Sequence, residues 1–125
     1  MKNLFFYLFF GAFLLGYQDV SAQIDNLTSE PHERANLLSS YMSDFLGLDT
    51  KQQELIEAYN LKYELLIQKE IVDSEVWYSS DFIELLDTLY LEKRAEVKQI
   101  LDASQMELYV ELESLLYYLL LEKYF

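Results

Sequence analysis

Two copies of one short pattern, Leu-Asp-x-x-Gln, constrain the fold of this chain more than any other feature of its sequence. The first copy begins at Leu48 and the second at Leu101, so matching residues lie 53 positions apart. Asp is a favoured N-cap, and a Gln three residues later completes a capping box, in which each side chain bonds to the other residue's backbone N–H. Each copy therefore predicts a helix that starts directly after a tight bend.

The residues of these two boxes are the first candidate sites, as structural clamps. They are Leu48, Asp49, Gln52, Leu101, Asp102 and Gln105. One interpretation is coincidence, since Asp and Gln are common at helix starts. The other is an internal duplication of a helix–box–helix unit. Because the preceding Leu and the flanking helices also repeat, we favour the duplication.

Apolar residues at helical spacing predict two helices before residue 73. The segment Ser29-Glu30-Pro31 starts the first, with Ser29 as the capping residue, and Gly47 ends it. The second runs from Asp49 to about Val72, and Leu48 before it is expected to pack onto the next turn.

Two more helices are predicted in the second half of the chain. Asp81 can cap the third, whose apolar spacing continues to Leu101, and the fourth runs from the second box towards Tyr124. Three Gly and one Pro are too few for a turn-rich β fold. The predicted fold class is therefore all-α.

The first 22 residues have the layout of a secretory signal peptide. Lys2 precedes the apolar run Leu4–Leu15, and Val20-Ser21-Ala22 fits a cleavage site. The run is shorter than the ~20 residues of a membrane span, so a retained anchor is the less favoured alternative. We expect cleavage before Gln23, a disordered lead over 23–29 and a single helical domain over 30–125, with no membrane span after cleavage.

The charge and the rare residue types exclude several function classes. The formal net charge is −13, and loss of Lys2 and Asp19 with the leader leaves it unchanged, so nucleic acid is not an expected partner. Absence of Cys removes disulfides, thiolate metal sites and lipid anchoring through Cys. We therefore expect a soluble exported protein that is not an enzyme and has no cofactor.

Two kinds of polar site were considered and set aside. Glu30, His32 and Glu33 could donate to a metal, but a lone His at an exposed helix start is usually solvated, so no metal ligand is assigned. Neighbouring carboxylates, Glu111 with Glu113 and Asp81 with Glu84, are expected on a solvated face.

The C-terminal helix carries seven consecutive apolar or aromatic residues, Leu115–Leu121. Apolar side chains on all sides of a helix indicate burial on more than one side. One interpretation is a central helix that the other three surround. The other, which we favour, is a helix that forms a dimer seam or a docking surface. The candidate protein-binding residues are Leu116, Tyr117, Tyr118, Leu119, Leu120 and Leu121.

The two boxes resemble degenerate copies of the Leu-Thr-x-x-Gln motif of the Spy/CpxP-like periplasmic proteins. The run Phe45-Leu46-Gly47-Leu48 before the first box, Glu33-Arg34-Ala35 upstream and Asn60-Leu61-Lys62-Tyr63 downstream also resemble that family, as does the segment from Arg94 to Leu101. The similarity spans roughly Pro31 to Leu112. Both copies carry Asp where the name-giving residue is Thr, a mild change because both residues cap helices.

The resemblance implies a four-helix curved hairpin or cradle that is often a homodimer. It also implies a periplasmic chaperone that needs no ATP, or an envelope-stress binding protein, with unfolded or envelope proteins as clients. The acidic charge departs from the basic binding face of the chaperone members, so clients are expected to be apolar or basic. The alternative is a structural or accessory subunit that docks to a larger envelope complex through its C-terminal helix.

Overall fold

The computed structural model describes residues 30–74 and 81–124, and in the last helix it describes side chains up to residue 119. Within these ranges every regular element is helical and none is a strand, which confirms the all-α class. The four α-helices are α1 (Pro31–Leu46), α2 (Thr50–Ile67), α3 (Phe82–Val97) and α4 (Ala103–Tyr124). The predicted signal peptide and the lead over 23–29 lie outside the described residues.

Helix α1 begins and ends close to the predicted positions. Its N-cap is Glu30 rather than Ser29, because Pro31 occupies the first turn, and the Glu30 carboxylate accepts a 3.1 Å hydrogen bond from the Glu33 N–H. Gly47 has a φ of 62°, the left-handed conformation that ends a helix at low cost only for Gly. The chain therefore turns directly into the first box.

The helical segment that begins with α2 continues beyond Ile67 to Val72, as predicted, but its last turn changes type. Residues Gln68–Val72 form a π-helical segment, closed by a 2.8 Å bond from the Asp73 N–H to the Gln68 carbonyl. The wider turn keeps Ile71 fully buried. The buried stripe of α2 therefore continues from Ile67 to Ile71 in the π-helical segment.

Helix α3 is shorter than its apolar spacing predicts. It ends at Val97, and the next residues form a tight turn in which the Ile100 and Leu101 N–H groups both donate to the Val97 carbonyl. This turn frees Asp102 to act as the next N-cap. At the other end Asp81 occupies the N-cap position, but its side chain makes no capping hydrogen bond, since its backbone is already helical.

Two apolar clusters form the core. The first contains residues from all four helices: Leu38, Met42, Leu46, Ile56, Val97, Tyr109, Leu112, Leu116 and Leu119. The second joins α2, the π-helical segment and α3: Tyr63, Ile67, Ile71, Leu86 and Leu89. Helix α1 packs against α2 and α4, α2 packs against α3, and the rings of Tyr90 and Tyr117 join α3 to α4 at a centroid distance of 5.0 Å.

None of the described helices is both long enough and apolar enough to cross a membrane.

Candidate functional site

The first box caps α2 through Asp49. The Gln52 N–H donates to Asp49 Oδ1 at 2.8 Å, and the Asp49 N–H donates to Gln52 Oε1 at 3.1 Å. Two N–H groups that would otherwise lack intrahelical acceptors are thereby satisfied. Leu48, directly before the cap, packs against the first cluster, which contains Ile56 of the same helix.

The second box repeats this geometry at the start of α4. The Gln105 N–H donates to Asp102 Oδ1 at 2.8 Å, and the Asp102 N–H donates to Gln105 Oε1 at 3.0 Å. Leu101 packs against the same cluster that Leu48 contacts. The two predicted boxes therefore both form, with matching hydrogen bonds.

The structure joins the two boxes to each other, which their spacing alone does not reveal. Gln52 Nε2 donates to Gln105 Oε1 at 2.9 Å, and Gln105 Nε2 donates to Gln52 Oε1 at 3.2 Å. Each amide also reaches the carbonyl before the other box: Gln52 Nε2 bonds to the Ile100 oxygen at 2.8 Å, and Gln105 Nε2 to the Gly47 oxygen at 3.4 Å. Gly47 and Ile100 are themselves 53 positions apart, so the junction has an approximate two-fold symmetry.

The candidate protein-binding residues of α4 fall into two groups. Leu116 and Leu119 are members of the first cluster, with Leu116 only 1% exposed, so they pack within the chain itself and are not presented to a partner. Tyr117 is half-buried against Tyr90, whereas Tyr118 is 54% exposed. The side chains of Leu120 and Leu121 lie outside the described residues.

The buried residues of α4 explain this division. They follow one stripe at spacings of three and four: Tyr109, Leu112, Glu113, Leu116 and Leu119. The seven-residue run therefore buries Leu116 and Leu119 on this stripe, while Tyr118 points away from it. Leu115 and Tyr117 flank this stripe and are half-buried, Leu115 against the first cluster and Tyr117 against the second, so among the described positions of the run only Tyr118 is exposed.

A layer of charged side chains lies between the packed helices, and it was not predicted from the sequence. We call Arg34, Glu64, Lys93, Arg94 and Glu113 the charged layer. Arg34 Nε donates to Glu64 Oε2 at 2.7 Å, and the two side chains are 5% and 2% exposed. The same guanidinium reaches Gln68 Oε1 at 3.1 Å. Helix α1 is thereby tied to the end of α2 by a desolvated ion pair.

A second ion pair of the charged layer joins α3 to α4. Arg94 Nε donates to Glu113 Oε1, and the Tyr109 hydroxyl donates to Glu113 Oε2 at 2.6 Å. Burial and the neighbouring Glu113 carboxylate raise the pKa of Tyr109 well above its usual value. The expectation that Glu113 lies on a solvated face is therefore wrong; its stripe on α4 faces the core.

Lys93 has no salt-bridge partner among the described residues, although it is 1% exposed. Its Nζ lies 5.9 Å from the centroid of the Tyr90 ring, a cation–π distance. Burial lowers the pKa of Lys93, and the carboxylates of Glu113 and Glu64 act in the opposite direction. Along α3 it lies one turn from Leu89 of the second cluster and one turn from Val97 of the first.

Helical register is the signal that could have found the charged layer. Lys93 continues the buried series Leu86, Leu89 and Val97, and Glu64 follows Asn60 by one turn on the buried face of α2. A charged residue in a core register is expected to be buried and paired. The sequence analysis instead assigned acidic residues to a solvated face because they are so numerous.

The one His of the chain is at the start of α1. His32 Nδ1 lies 2.7 Å from Glu30 Oε1, and both side chains are exposed. The bond with His32 lowers the pKa of Glu30. Among the described residues, no group of three or more His, Asp or Glu side chains is arranged to hold a metal ion.

A polar groove runs along one side of the α1–α2 pair. It has a volume of about 700 Å³, and its walls are rich in small and acidic side chains. The residues that define it are Ala35, Ser39, Ser43, Asp44, Glu54 and Glu57. The groove is open to solvent, and no motif in the sequence marks it.

Comparison with protein-family models, curated proteins and solved structures found no match to this chain. The chemistry of the described residues therefore has to carry the functional interpretation.

Proposed function

We propose that this protein is an exported binding protein of the Spy/CpxP type, which holds unfolded or partly folded envelope proteins without ATP. The observation that carries this proposal is the reciprocal bond between Gln52 and Gln105. These are the glutamines of the two family-like motifs, and they meet at one junction between helices. The contact gives the two motifs one shared structural role, at the junction between the starts of α2 and α4.

The two carboxylates of the charged layer are not placed to act as a catalytic acid or base. Glu64 and Glu113 are each paired with an arginine and are each 2% exposed, so neither carboxylate is accessible to a substrate. Their charge is used to join helices. A catalytic acid or base must instead reach the group from which it takes a proton.

Exposed apolar side chains supply a surface suited to holding clients. The large apolar residues that remain exposed are Phe45, Leu65, Ile83, Leu91 and Tyr118. They are distributed over all four helices, and Leu91 is the most exposed of them. These side chains are the large apolar contacts that the described surface offers to a client, and the acidic charge around them favours basic segments. The same proposal includes a curved cradle as the shape of the protein, a homodimer as its assembly and the periplasm as its location.

The test uses the mature form, residues 23–125, and two clients of opposite charge. Aggregation of reduced lysozyme, which is basic, and of reduced α-lactalbumin, which is acidic, is followed by light scattering. We expect suppression of lysozyme aggregation, little effect on α-lactalbumin and no change on addition of ATP. If neither client is protected, or if protection requires ATP, the proposed function is wrong.

A second candidate, an accessory subunit of a larger envelope complex, is favoured by the exposure of Tyr118 on α4. The two functions differ in the state of the native protein. A holding protein is expected to run as a free small species in envelope extracts, whereas a subunit is expected to co-migrate with one large partner.

A further inference from the structure

The groove between α1 and α2 has the dimensions of a short extended peptide. Its lining extends from His32 to Asp44 along α1, about 18 Å at 1.5 Å per residue. About five extended residues cover that length. The facing wall is formed by α2 from Gln53 to Leu61. The groove is therefore long and narrow rather than a closed pocket.

The charge of the groove is negative and uncompensated. Asp44, Glu54 and Glu57 line it, and no Lys or Arg does. Among the described residues, no basic side chain lies within ion-pair distance of these three carboxylates. The carboxylates lie along the half near Gly47, while His32 lies at the opposite end. A ligand that carries positive charge towards the Gly47 end would meet a complementary surface.

Most of the basic residues whose contacts are described lie away from the groove. Arg34, Lys93 and Arg94 belong to the charged layer inside the helices, and Lys62 is paired with Glu96 at 2.8 Å. These four account for much of the basic charge in a chain with nine Lys and Arg in total. Lys51 is exposed one turn before Glu54, but among the described residues it makes no ion pair with the carboxylates of the groove.

The floor of the groove is built for close approach of a polypeptide backbone. Ala35, Ser39 and Ser43 follow one another at one-turn spacing on α1, and Ala58 faces them from α2. Behind this floor Asn60 is fully buried; its Nδ2 donates to Ser39 Oγ at 3.0 Å, and its Oδ1 has no donor among the described residues. Small side chains leave room for main-chain atoms, and the hydroxyl groups offer both donors and acceptors.

The geometry points to a binding site for a short, extended, basic peptide segment of another protein in the α1–α2 groove. Its Lys or Arg side chains pair with Asp44, Glu54 and Glu57, and its backbone lies over the small residues of α1. This inference rests on the proposed function and specifies it, because it names the class of segment that is held and the surface that holds it.

The test measures peptide binding directly, with fluorescein-labelled Lys-Ala-Lys-Ala-Lys and its counterpart Glu-Ala-Glu-Ala-Glu as probes in fluorescence anisotropy. The groove variant combines Asp44→Asn, Glu54→Gln and Glu57→Gln. The matched control combines Glu84→Gln, Glu107→Gln and Glu111→Gln, three exposed acidic residues outside the groove. Both variants remove the same charge, and circular dichroism melting checks that each remains folded.

We expect the basic peptide, and not the acidic one, to bind the unmodified protein, with affinity that falls as salt is added. The groove variant should raise Kd about tenfold or more, while the control should change it by less than about twofold. Equal weakening in both variants would show general surface attraction and overturn the site. Absence of binding would also overturn the site. So would a change in the mass of the protein in the groove variant alone, because that change would identify a second copy of the chain as the occupant.

The aggregation assay distinguishes an error in the location of the site from an error in the proposed function. If the groove variant still protects reduced lysozyme as well as the unmodified protein does, client holding stands and the groove is not its site. If the unmodified protein protects no client, the proposed function fails irrespective of the peptide result.

Discussion

The side-chain amides of Gln52 and Gln105 hydrogen-bond to each other in both directions, at 2.9 and 3.2 Å. Each amide oxygen also accepts from the N–H of its own box, at Asp49 and Asp102. The start of α2 is thereby fixed to the start of α4. This junction stabilises both tight bends at once, because neither glutamine can move without loss of bonds at the other.

Gln52→Ala and Gln105→Ala should each destabilise the fold, at about 0.5–1.5 kcal/mol for each hydrogen bond lost. Because the two residues share bonds, the double variant should lose less than the sum of the single ones, with a coupling of about 0.5–3 kcal/mol. Urea denaturation of the four proteins measures this cycle, and Gln99→Ala, at an exposed position, serves as the control. Strict additivity would contradict the reciprocal bond.

Asp49→Ala and Asp102→Ala should each lower the free energy of unfolding by about 0.5–2 kcal/mol, the usual cost of a lost N-cap. Both side chains accept at 2.8 Å from the third residue of their helices, so the two losses should be similar. Ser104→Ala, an exposed change two residues after the second cap, should have little effect. Unchanged denaturation midpoints in both Asp variants would mean that the boxes do not hold the bends.

Lys93→Met should stabilise the protein, on the order of 1–4 kcal/mol, because a desolvated ammonium without a salt-bridge partner is replaced by an apolar chain of similar size. Glu64 and Glu113 keep their arginine partners in this variant. Glu113→Gln should instead destabilise by roughly 1.5–3 kcal/mol, because the partly exposed Arg94 and the buried Lys93 then lose the carboxylate beside them. Chemical denaturation at neutral pH compares the two, and destabilisation by Lys93→Met would show that its charge is needed in the core.

The pH dependence of stability should report the same lysine. Burial lowers the pKa of Lys93 in the folded state below its usual 10.5. The folded protein therefore releases this proton at a lower pH than the unfolded chain, and stability rises with pH between the two pKa values. Below the folded pKa the full penalty of the buried charge is present. The difference between the unmodified protein and Lys93→Met should thus shrink as pH approaches 10.5, and a constant difference would exclude this cause.

Two substitutions on α4 should separate core from surface. Leu116→Ala removes a side chain that is 1% exposed and should cost about 2–5 kcal/mol. Tyr118→Glu changes a residue that is 54% exposed and should leave helix content and melting temperature nearly unchanged. If α4 contributes to a seam or client surface, Tyr118→Glu should reduce dimer mass or client protection. A folded variant with both properties intact would remove Tyr118 from that surface.

Mass spectrometry of the exported protein should find Gln23, in cyclised form or not, at the N-terminus. The layout of residues 1–22 as a signal peptide is the reason for this expectation. Intact Met1 on a membrane-bound form would instead indicate a retained anchor.

The helices and both boxes could be predicted from the sequence because their signals are local. Asp49 and Gln52 are three residues apart, and Gly47 ends its helix because a residue without a side chain readily adopts a positive φ. The periodicity of apolar residues then gives the length of each helix to within a few positions. These features do not depend on which helix packs against which.

The junction and the charged layer could not be predicted because they depend on the arrangement of the helices in space. Nothing near Gln52 in the sequence indicates that its amide meets Gln105. Likewise Glu113 resembles the many solvated acids of the chain until α3 brings Arg94 beside it. The exposure of Tyr118 next to buried Leu119 is also a result of the rotation of α4, which seven apolar residues in a row do not specify.

The symmetry of the glutamine junction is what an internal duplication, our favoured interpretation of the two boxes, predicts. A half-length ancestor with one helical hairpin and one box would carry a glutamine whose amide reaches beyond its own hairpin, and a second identical hairpin would satisfy it across a two-fold axis. Fusion of two such genes would retain that contact within one polypeptide, with matching residues 53 positions apart. Afterwards the halves could diverge everywhere except at the shared junction. The present difference between Asn60 on α2 and its counterpart Glu113 on α4, also 53 positions away, is the kind of divergence such a history permits.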